Sequence, residues 1–185
     1  MLAGQTANSN PQTQALLTFT VAGQWCALPV ANIVRIIDMV ALTPLPGVSA
    51  AIVGLINVQG KVVPALDLRL RFGLPRQPYT LQTPMIIINT PHPGRVLALI
   101  VDRVGEVVEV PADQLTSTET IIPTQMAALD TTPGTFFTSV ATIEQNLILV
   151  LNTHHILTGA EQDTIIQALG NHSEIKRPED NRSES

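Results

Sequence analysis

A single cysteine, Cys26, stands in the whole chain, so no internal disulfide can form and no zinc site can be built on thiolates. Aromatic side chains make up only 3% of residues, too few for the stacking platforms that hold single-stranded nucleic acid. Charge is also scarce, at 14% of residues with a net value of −5, and the basic residues are scattered. That distribution disfavours a nucleic-acid footprint. The longest apolar runs, at residues 96–101 and 147–151, fall far short of the roughly 20 residues a spanning helix needs. The opening MLAGQTANSNPQTQ has neither the basic nor the apolar region of a signal peptide. The chain therefore reads as soluble and cytoplasmic, without direct membrane insertion.

What remains is apolar and β-rich. Hydrophobic residues reach 45% in 185 residues, mostly Val, Ile, Leu and Ala. That is enough for a sizeable core in one domain or two small lobes. Residues 1–14 read as a mobile polar lead, residues 15–170 as the folded part, and residues 171–185 as a disordered charged tail. Leu17, Phe19 and Val21 alternate with Thr18 and Thr20, the pattern of a half-buried strand. Ala22-Gly23-Gln24 turns the chain and Trp25 begins the return strand of a hairpin. Residues 30–33 suit a helical turn after Pro29, and residues 35–40 a strand. Pro44 and Pro46 mark a loop, after which Ser49 is positioned to cap a helical turn running to Val53.

The stretch GLINVQGKVVPALDLRLRFG, residues 54–73, is the most heavily punctuated. Residues 54–58 read as a strand, Gln59-Gly60 as a tight turn with positive φ at the glycine, and residues 61–66 as the returning strand. Pro64 cannot donate to a ladder and belongs at an edge or a bulge. Asp67 caps a short helix that Gly73 ends, with Arg69 and Arg71 solvated beside it. MIIIN and VLALIV read as strands buried on both sides. GEVVEV is a further strand, and residues 111–135 a long connection with a short helix or turn. FFTSVATI and NLILVL form a last hairpin through residues 144–146. Asn152 or Thr153 can cap a short helix, and residues 159–169 suit a final one. Nine or ten short strands with little helix favour small barrels or a sandwich.

Residues able to do chemistry are poorly assembled. His92 lies between prolines and His172 in the tail. His154 and His155 are adjacent, diverge, and lack further ligands nearby, so solvation outweighs a metal role. Asp67 and Asp102 are most simply cap or turn residues, ahead of acid–base catalysis. No glycine-rich helix start offers a phosphate cradle, and Cys26 reads as a small buried hydrophobe. The unusual residues are spent on backbone shape, which suits a rigid binding surface or, equally, barrel corners.

IVGLINVQGKVVPALDLRLRFGL resembles the signature of the CheW family of bacterial chemotaxis coupling proteins. Gly54, Asn57, Gly60, Pro64, Asp67, Leu68, Arg69 and Phe72 match in register. LLTFTVAGQWCALPVANIVRII is similar to the family's opening hairpin. LALIVDRVGEVVEV resembles a second block, carried by Asp102, Val104 and Val107, and NLILVLNTHHIL the closing strand and helix. The resemblance covers about residues 15–157. It implies a mainly β fold: two small SH3-like five-stranded β-barrel subdomains around a shared core, few short helices and a C-terminal helix. It also implies a non-catalytic, cofactor-free adaptor between a transmembrane chemoreceptor, whose cytoplasmic helical hairpin tip docks in a groove between the barrels, and the regulatory domain of a histidine autokinase. Such a protein would be recruited from the cytoplasm to membrane receptor arrays. The partner-binding positions the resemblance carries over are Ile33, Arg35, Gly54, Asn57, Gln59, Gly60, Ala98 and Val104.

Three of these depart from the family's pattern. Arg is usual where Gln59 stands, an acidic residue is common near Arg35, and glycine is common at Ala98. A lost cation and a reversed charge alter complementarity and hence partner choice. Alternatives are a decoy that binds one partner and not both, or a dedicated adaptor of a parallel pathway such as twitching or another surface behaviour. A fragment of a kinase's regulatory domain is disfavoured by the polar lead and tail.

Overall fold

The structure, a computed structural model, describes residues 13–117, 136–143 and 145–174. Eleven strands among them form two sheets. The first contains β1 (Thr13–Val21), β2 (Gln24–Pro29), β8 (Arg103–Pro111), β9 (Leu115–Ser117), β10 (Phe137–Ile143) and β11 (Asn146–Leu151), in the order β8-β1-β2-β11-β10-β9. The second contains β3 (Ile33–Asp38), β4 (Ile52–Val58), β5 (Lys61–Asp67), β6 (Pro84–Asn89) and β7 (Val96–Ile100), in the order β3-β6-β7-β5-β4. Pairing is antiparallel except where β2 meets β11 and β5 meets β7. Among the described residues the two α-helices are α1 (Leu68–Arg71) and the C-terminal α2 (Gly159–Glu174). The first sheet carries one strand more than the resemblance implies, the three-residue β9.

Strand periodicity explains how two sheets become two lobes on one core. Successive side chains of a strand point to opposite faces. In β6, Met85 and Ile87 join a cluster inside the second sheet, while Ile86 and Ile88 join the shared core. In β7, Ala98 and Ile100 go inward, and Leu97 and Leu99 to the shared core. The first sheet repeats the division. Leu16, Ala27, Ile148 and Val150 fill its own interior, whereas Leu17, Phe19, Cys26, Leu28 and Leu151 meet the second sheet. β1 is thus buried on both faces, Thr18 included, where alternation with threonine had implied one wet face. Thr18 is satisfied by donating to the Glu106 carbonyl and accepting from the Glu106 amide. Cys26 is fully buried, and desolvation pushes its thiol up to about 12, so it packs as a hydrophobe.

Several local expectations hold. Ala22 and Gly23 both take positive φ in the β1–β2 turn, the geometry that matches strand twist. Val30–Asn32 is a 3-10 turn after Pro29. Pro64 pairs with Leu55 of β4, and the β5–β7 register begins only at Ala65. Its missing N–H therefore falls where β5 has no second neighbour. Asp67 Oδ1 accepts from the Arg69 amide at 2.8 Å and the Leu70 amide at 3.4 Å, capping α1.

Other expectations are corrected. Ser49 caps no helix: only a turn precedes β4, and its hydroxyl donates to Glu161. Arg69 and Arg71 are not solvated but ion-paired. Asn152 accepts from the His154 amide in a turn rather than starting a helix. β1 begins at Thr13, inside the stretch read as lead, and α2 continues to Glu174, past Gly170. Of the connection read at residues 111–135, a 3-10 turn at Ala112–Gln114 and β9 are observed, and residues 118–135 lie outside the described residues. So do most of the lead and residues 175–185 of the tail.

Gly54 shows why the signature needs a glycine inside a strand. Its φ is 150°, and a Cβ there would sit 2.5 Å from the Thr43 carbonyl oxygen. That oxygen accepts from the Leu55 amide at 2.7 Å, and the Thr43 amide donates back to Leu55 at 2.8 Å. The loop strand thereby covers the outer side of β4. Gly54→Ala is expected to cost about 2 kcal/mol or more, through strain and steric overlap. Urea unfolding of the two proteins, with equal slopes and a lowered midpoint for the variant, is the check.

Candidate functional site

The positions carried over by resemblance fall into three groups. Ile33, at the start of β3, and Val104, in β8, are half-buried and pack against the shared core from different sheets. They straddle the junction between the lobes. Arg35 is exposed on β3, the terminal strand of its sheet. Its neighbours Val34 and Ile36 are 47% and 45% exposed, so this edge offers apolar surface around one cation. Sequence pattern alone did not single out those two, because the apolar pairs on either side of Arg35 read only as strand residues.

The second group is the β4–β5 turn. Gln59 and Gly60 take φ of 52° and 84°, and the Gly60 amide donates to Asn57 Oδ1 at 2.8 Å. Asn57 is thus committed in part to holding the turn, and the exposed Gln59 side chain is carried at its tip. The turn stays rigid because both central residues sit in the left-handed region that this hairpin type demands.

The third group is buried. Ala98 is fully buried between Ala65 and Ile87, inside the second lobe. Gly54 is buried against Thr43. Neither offers a side chain to a partner; both act by permitting close packing. Alanine at position 98 fits because its methyl joins the interior cluster.

Two ion pairs fix the framework under these surfaces. Arg69 makes a two-pronged contact with Asp102, Nε to Oδ1 and Nη2 to Oδ2, each at 2.7 Å. The hydrogen bond to Asp102 raises the Arg69 pKa, so the guanidinium stays charged. Asp102 Oδ2 also accepts from the Ala22 amide at 2.6 Å. One carboxylate therefore ties α1, the β1–β2 turn and the β7–β8 junction. Asp67 is buried and its second oxygen accepts from the Tyr79 hydroxyl. Burial, and then that bond, push the Tyr79 phenol above its ordinary value.

The second pair is deeper. Arg71 Nη2 meets Glu161 Oε2 at 2.7 Å, and its guanidinium lies 5.7 Å from the Phe136 ring centre. Glu161 receives the Ser49 hydroxyl and, at 2.8 Å, the Thr158 amide, while its own amide donates to Thr158 Oγ1 at 3.3 Å. Thr158-x-x-Glu161 is a capping box, a signal present in the sequence that points to α2 starting here. Burial works to raise the Glu161 carboxyl, but the Arg71, Ser49 and Thr158 hydrogen bonds outweigh it and hold the pKa below the ordinary range.

His154 and His155 are exposed in a turn. Among the described residues no group of three His, Cys, Asp or Glu side chains is placed to hold a metal ion, and no helix is long and apolar enough to cross a membrane.

Comparisons with known proteins point one way. The family model described as the CheW-like domain matches residues 15–161. A protein named chemotaxis protein CheW from Bacillus subtilis is 33% identical over 104 residues, 56% of this chain and 65% of its own length. Its namesake from Helicobacter pylori is 25% identical over 108 residues, 58% and 64% of the two lengths. The chain thus spans just under two thirds of these two relatives. The Klebsiella aerogenes protein of the same name aligns over 171 residues at 23% identity, 92% of this chain and 95% of that one. The crystal structure of scaffolding protein TtCheW from Thermoanaerobacter tengcongensis superposes with a TM-score of 0.68 at 23% identity, over 81% of this chain and 96% of that one. It shares the fold.

A depressed carboxylate stabilises the fold above its ordinary pKa of about 4.3, and that contribution is lost as pH falls through the lower folded value. Wild-type stability is therefore expected to fall between about pH 5 and pH 3. Glu161→Gln leaves the buried Arg71 without its counter-charge and should lose about 2 kcal/mol at neutral pH. Its stability should also depend less on pH across that window. Chemical unfolding of both proteins at stepped pH reads both effects.

Proposed function

The chain belongs to the family of CheW-like domains, and on that premise we propose that it is a non-catalytic adaptor in a chemosensory complex. It couples the cytoplasmic helical hairpin tip of a transmembrane chemoreceptor to the regulatory domain of a histidine autokinase, in the cytoplasm beneath a receptor array. The observation that carries this reading is the family match over residues 15–161, which takes in both lobes and the junction between them. Half-exposed Ile33 and Val104 lie at that junction, one from each sheet. A junction of this kind suits the apolar face of an amphipathic helix. The exposed β3 edge, with Val34 and Ile36 beside Arg35, suits a second protein surface. A stable contact of this type covers roughly 800 Å² per partner and is dominated by a few residues.

Gln59 and Arg35 are both exposed, so their departures from the family's usual charges stand where a partner would meet them. This favours a dedicated adaptor with a restricted partner set, because charge at an interface rim selects among partners.

An adaptor retains both partners at once. Pull-down of the full chain with its cognate receptor fragment and kinase should recover all three proteins. Recovery of either partner alone, never both, would identify a decoy instead. Charge exchange tests the selectivity: Gln59→Arg with Arg35→Glu should weaken binding to the cognate partners by roughly tenfold. Unchanged affinity in calorimetry would remove the case for a restricted set.

A further inference from the structure

Ser49 is exposed in the irregular segment between β3 and β4, yet its hydroxyl donates to Glu161, a residue only 8% exposed. Pro44, Pro46 and Gly47, the last with φ of 79°, keep this segment out of regular pairing apart from the Thr43 bridge to Leu55. Ser49 therefore sits on a surface loop that another protein can reach. The other Glu161 oxygen meets Arg71, so the serine hydroxyl and the guanidinium are separated by the width of one carboxylate. The Arg71 side chain is itself 8% exposed, and its Nε has no hydrogen-bond partner among the described residues. A buried donor left unpaired is costly. The node thus joins an accessible hydroxyl, a buried anion and a cation with one donor unused.

The same node fixes the start of α2. Glu161 lies in its first turn and also takes the Thr158 amide. Further along, Ile165 and Leu169 rest on the shared core. Among the described residues no second ion pair ties α2 to the rest of the chain. The seating of its first turn therefore depends on the charge balance around one carboxylate.

We propose that Ser49 is a phosphorylation site, and that its phosphate releases the first turn of α2 by taking Arg71 from Glu161. A serine kinase brings the other reactant, a nucleoside triphosphate. The bond from Ser49 Oγ to the terminal phosphorus forms, and the bond from that phosphorus to the bridging oxygen breaks. A nucleoside diphosphate leaves, and the hydroxyl proton passes to the kinase's base. The product puts a charge of about −2 where a neutral donor had stood. Ser49 no longer donates to Glu161, and two anions face each other across the length of one hydrogen bond. Arg71 is within reach of the phosphate oxygens, and its unpaired Nε offers a second prong. Glu161 then loses its counter-charge and leaves the interior, because a buried carboxylate without one is strongly disfavoured. The lobes keep their packing, since Arg71 stays charged and paired. None of these residues is a partner-contact position of the adaptor reading, which can fail without affecting this control.

The test places phosphoserine at position 49 of the full chain by site-directed incorporation. Amide hydrogen exchange at Gln162, Ile165 and Leu169 should become roughly tenfold faster, while exchange in β6 and β7 stays as it was. Ser49→Ala, which lacks the hydroxyl but adds no charge, should exchange like the parent because the Arg71–Glu161 pair remains. The phosphorus-31 resonance of the modified chain should titrate about one unit below the value near 6 of a free phosphoserine, through the contact with Arg71. Mass spectrometry of the chain taken from its own cells should find one phosphate on the peptide that contains Ser49. Unaltered α2 exchange in the phosphorylated chain, equal release by Ser49→Ala, or a phosphate that titrates as in free phosphoserine would each overturn the proposal. So would the absence of phosphate from that peptide in cells grown with and without stimulus.

Discussion

The whole molecule depends on one geometric constraint: a strand has two faces, and here both are buried against different things. Each of β1, β2, β6, β7 and β11 sends alternate residues into its own lobe and into the core that both lobes share. A one-residue slip in any of them would exchange these two sets. The volumes are unlike: Ala27 and Ala98 point into the small lobe interiors, while Phe19, Leu28 and Leu99 point into the shared core. Register is therefore fixed by packing, and the lobes cannot reorient without unpacking the common cluster. Surfaces that straddle the junction inherit that rigidity.

The electrostatic design serves the same end. Charged residues are few, yet Arg69, Arg71, Asp67, Asp102 and Glu161 are drawn inward and joined to each other or to backbone. Buried charge is costly unless its hydrogen bonds are supplied. Here they are supplied, except at the buried Arg71 Nε, at places where chain segments distant in sequence must meet: α1 with the β1–β2 turn through Asp102, and α1 with α2 through Arg71 and Glu161. Such pairs add less to net stability than their number implies. Their contribution is directional, since a two-pronged contact fixes orientation as an apolar contact does not.

Local structure was legible in the sequence wherever a backbone constraint has a residue-level signature. Gly60 announced its positive φ, Pro64 its gap in the ladder, Asp67 its cap, and the runs at β6 and β7 their double burial. The signature block added the identity of the fold. What stayed hidden was pairing at a distance. Arg69 and Arg71 look like the wet side of a short helix until Asp102 and Glu161 arrive from 33 and 90 residues away, and no feature of one sequence predicts that meeting. Burial of Thr18 was hidden for the same reason, because its second face is covered by β8. Among the site residues, exposure divided the set. Motif register marks Gly54 and Ala98 as firmly as Gln59, but it cannot distinguish a residue that touches a partner from one that lets the chain pack.

That distinction bears on how such a body could pass a signal. A ligand can shift an equilibrium only by contacting two states unequally, and a core packed with fully buried Phe19, Leu28, Ile86 and Leu97 does not deform continuously between them. Fixed spacing between binding surfaces is then the quantity the fold supplies. The junction residues Ile33 and Val104 pack against the same shared cluster, and Ile33 opens the β3 edge. On the proposed adaptor reading, a partner seated at the junction would be held at a set distance and angle from one seated on the β3 edge. On that same proposed reading, signalling would be a matter of which partners are placed together, with the switching element residing in the partners themselves.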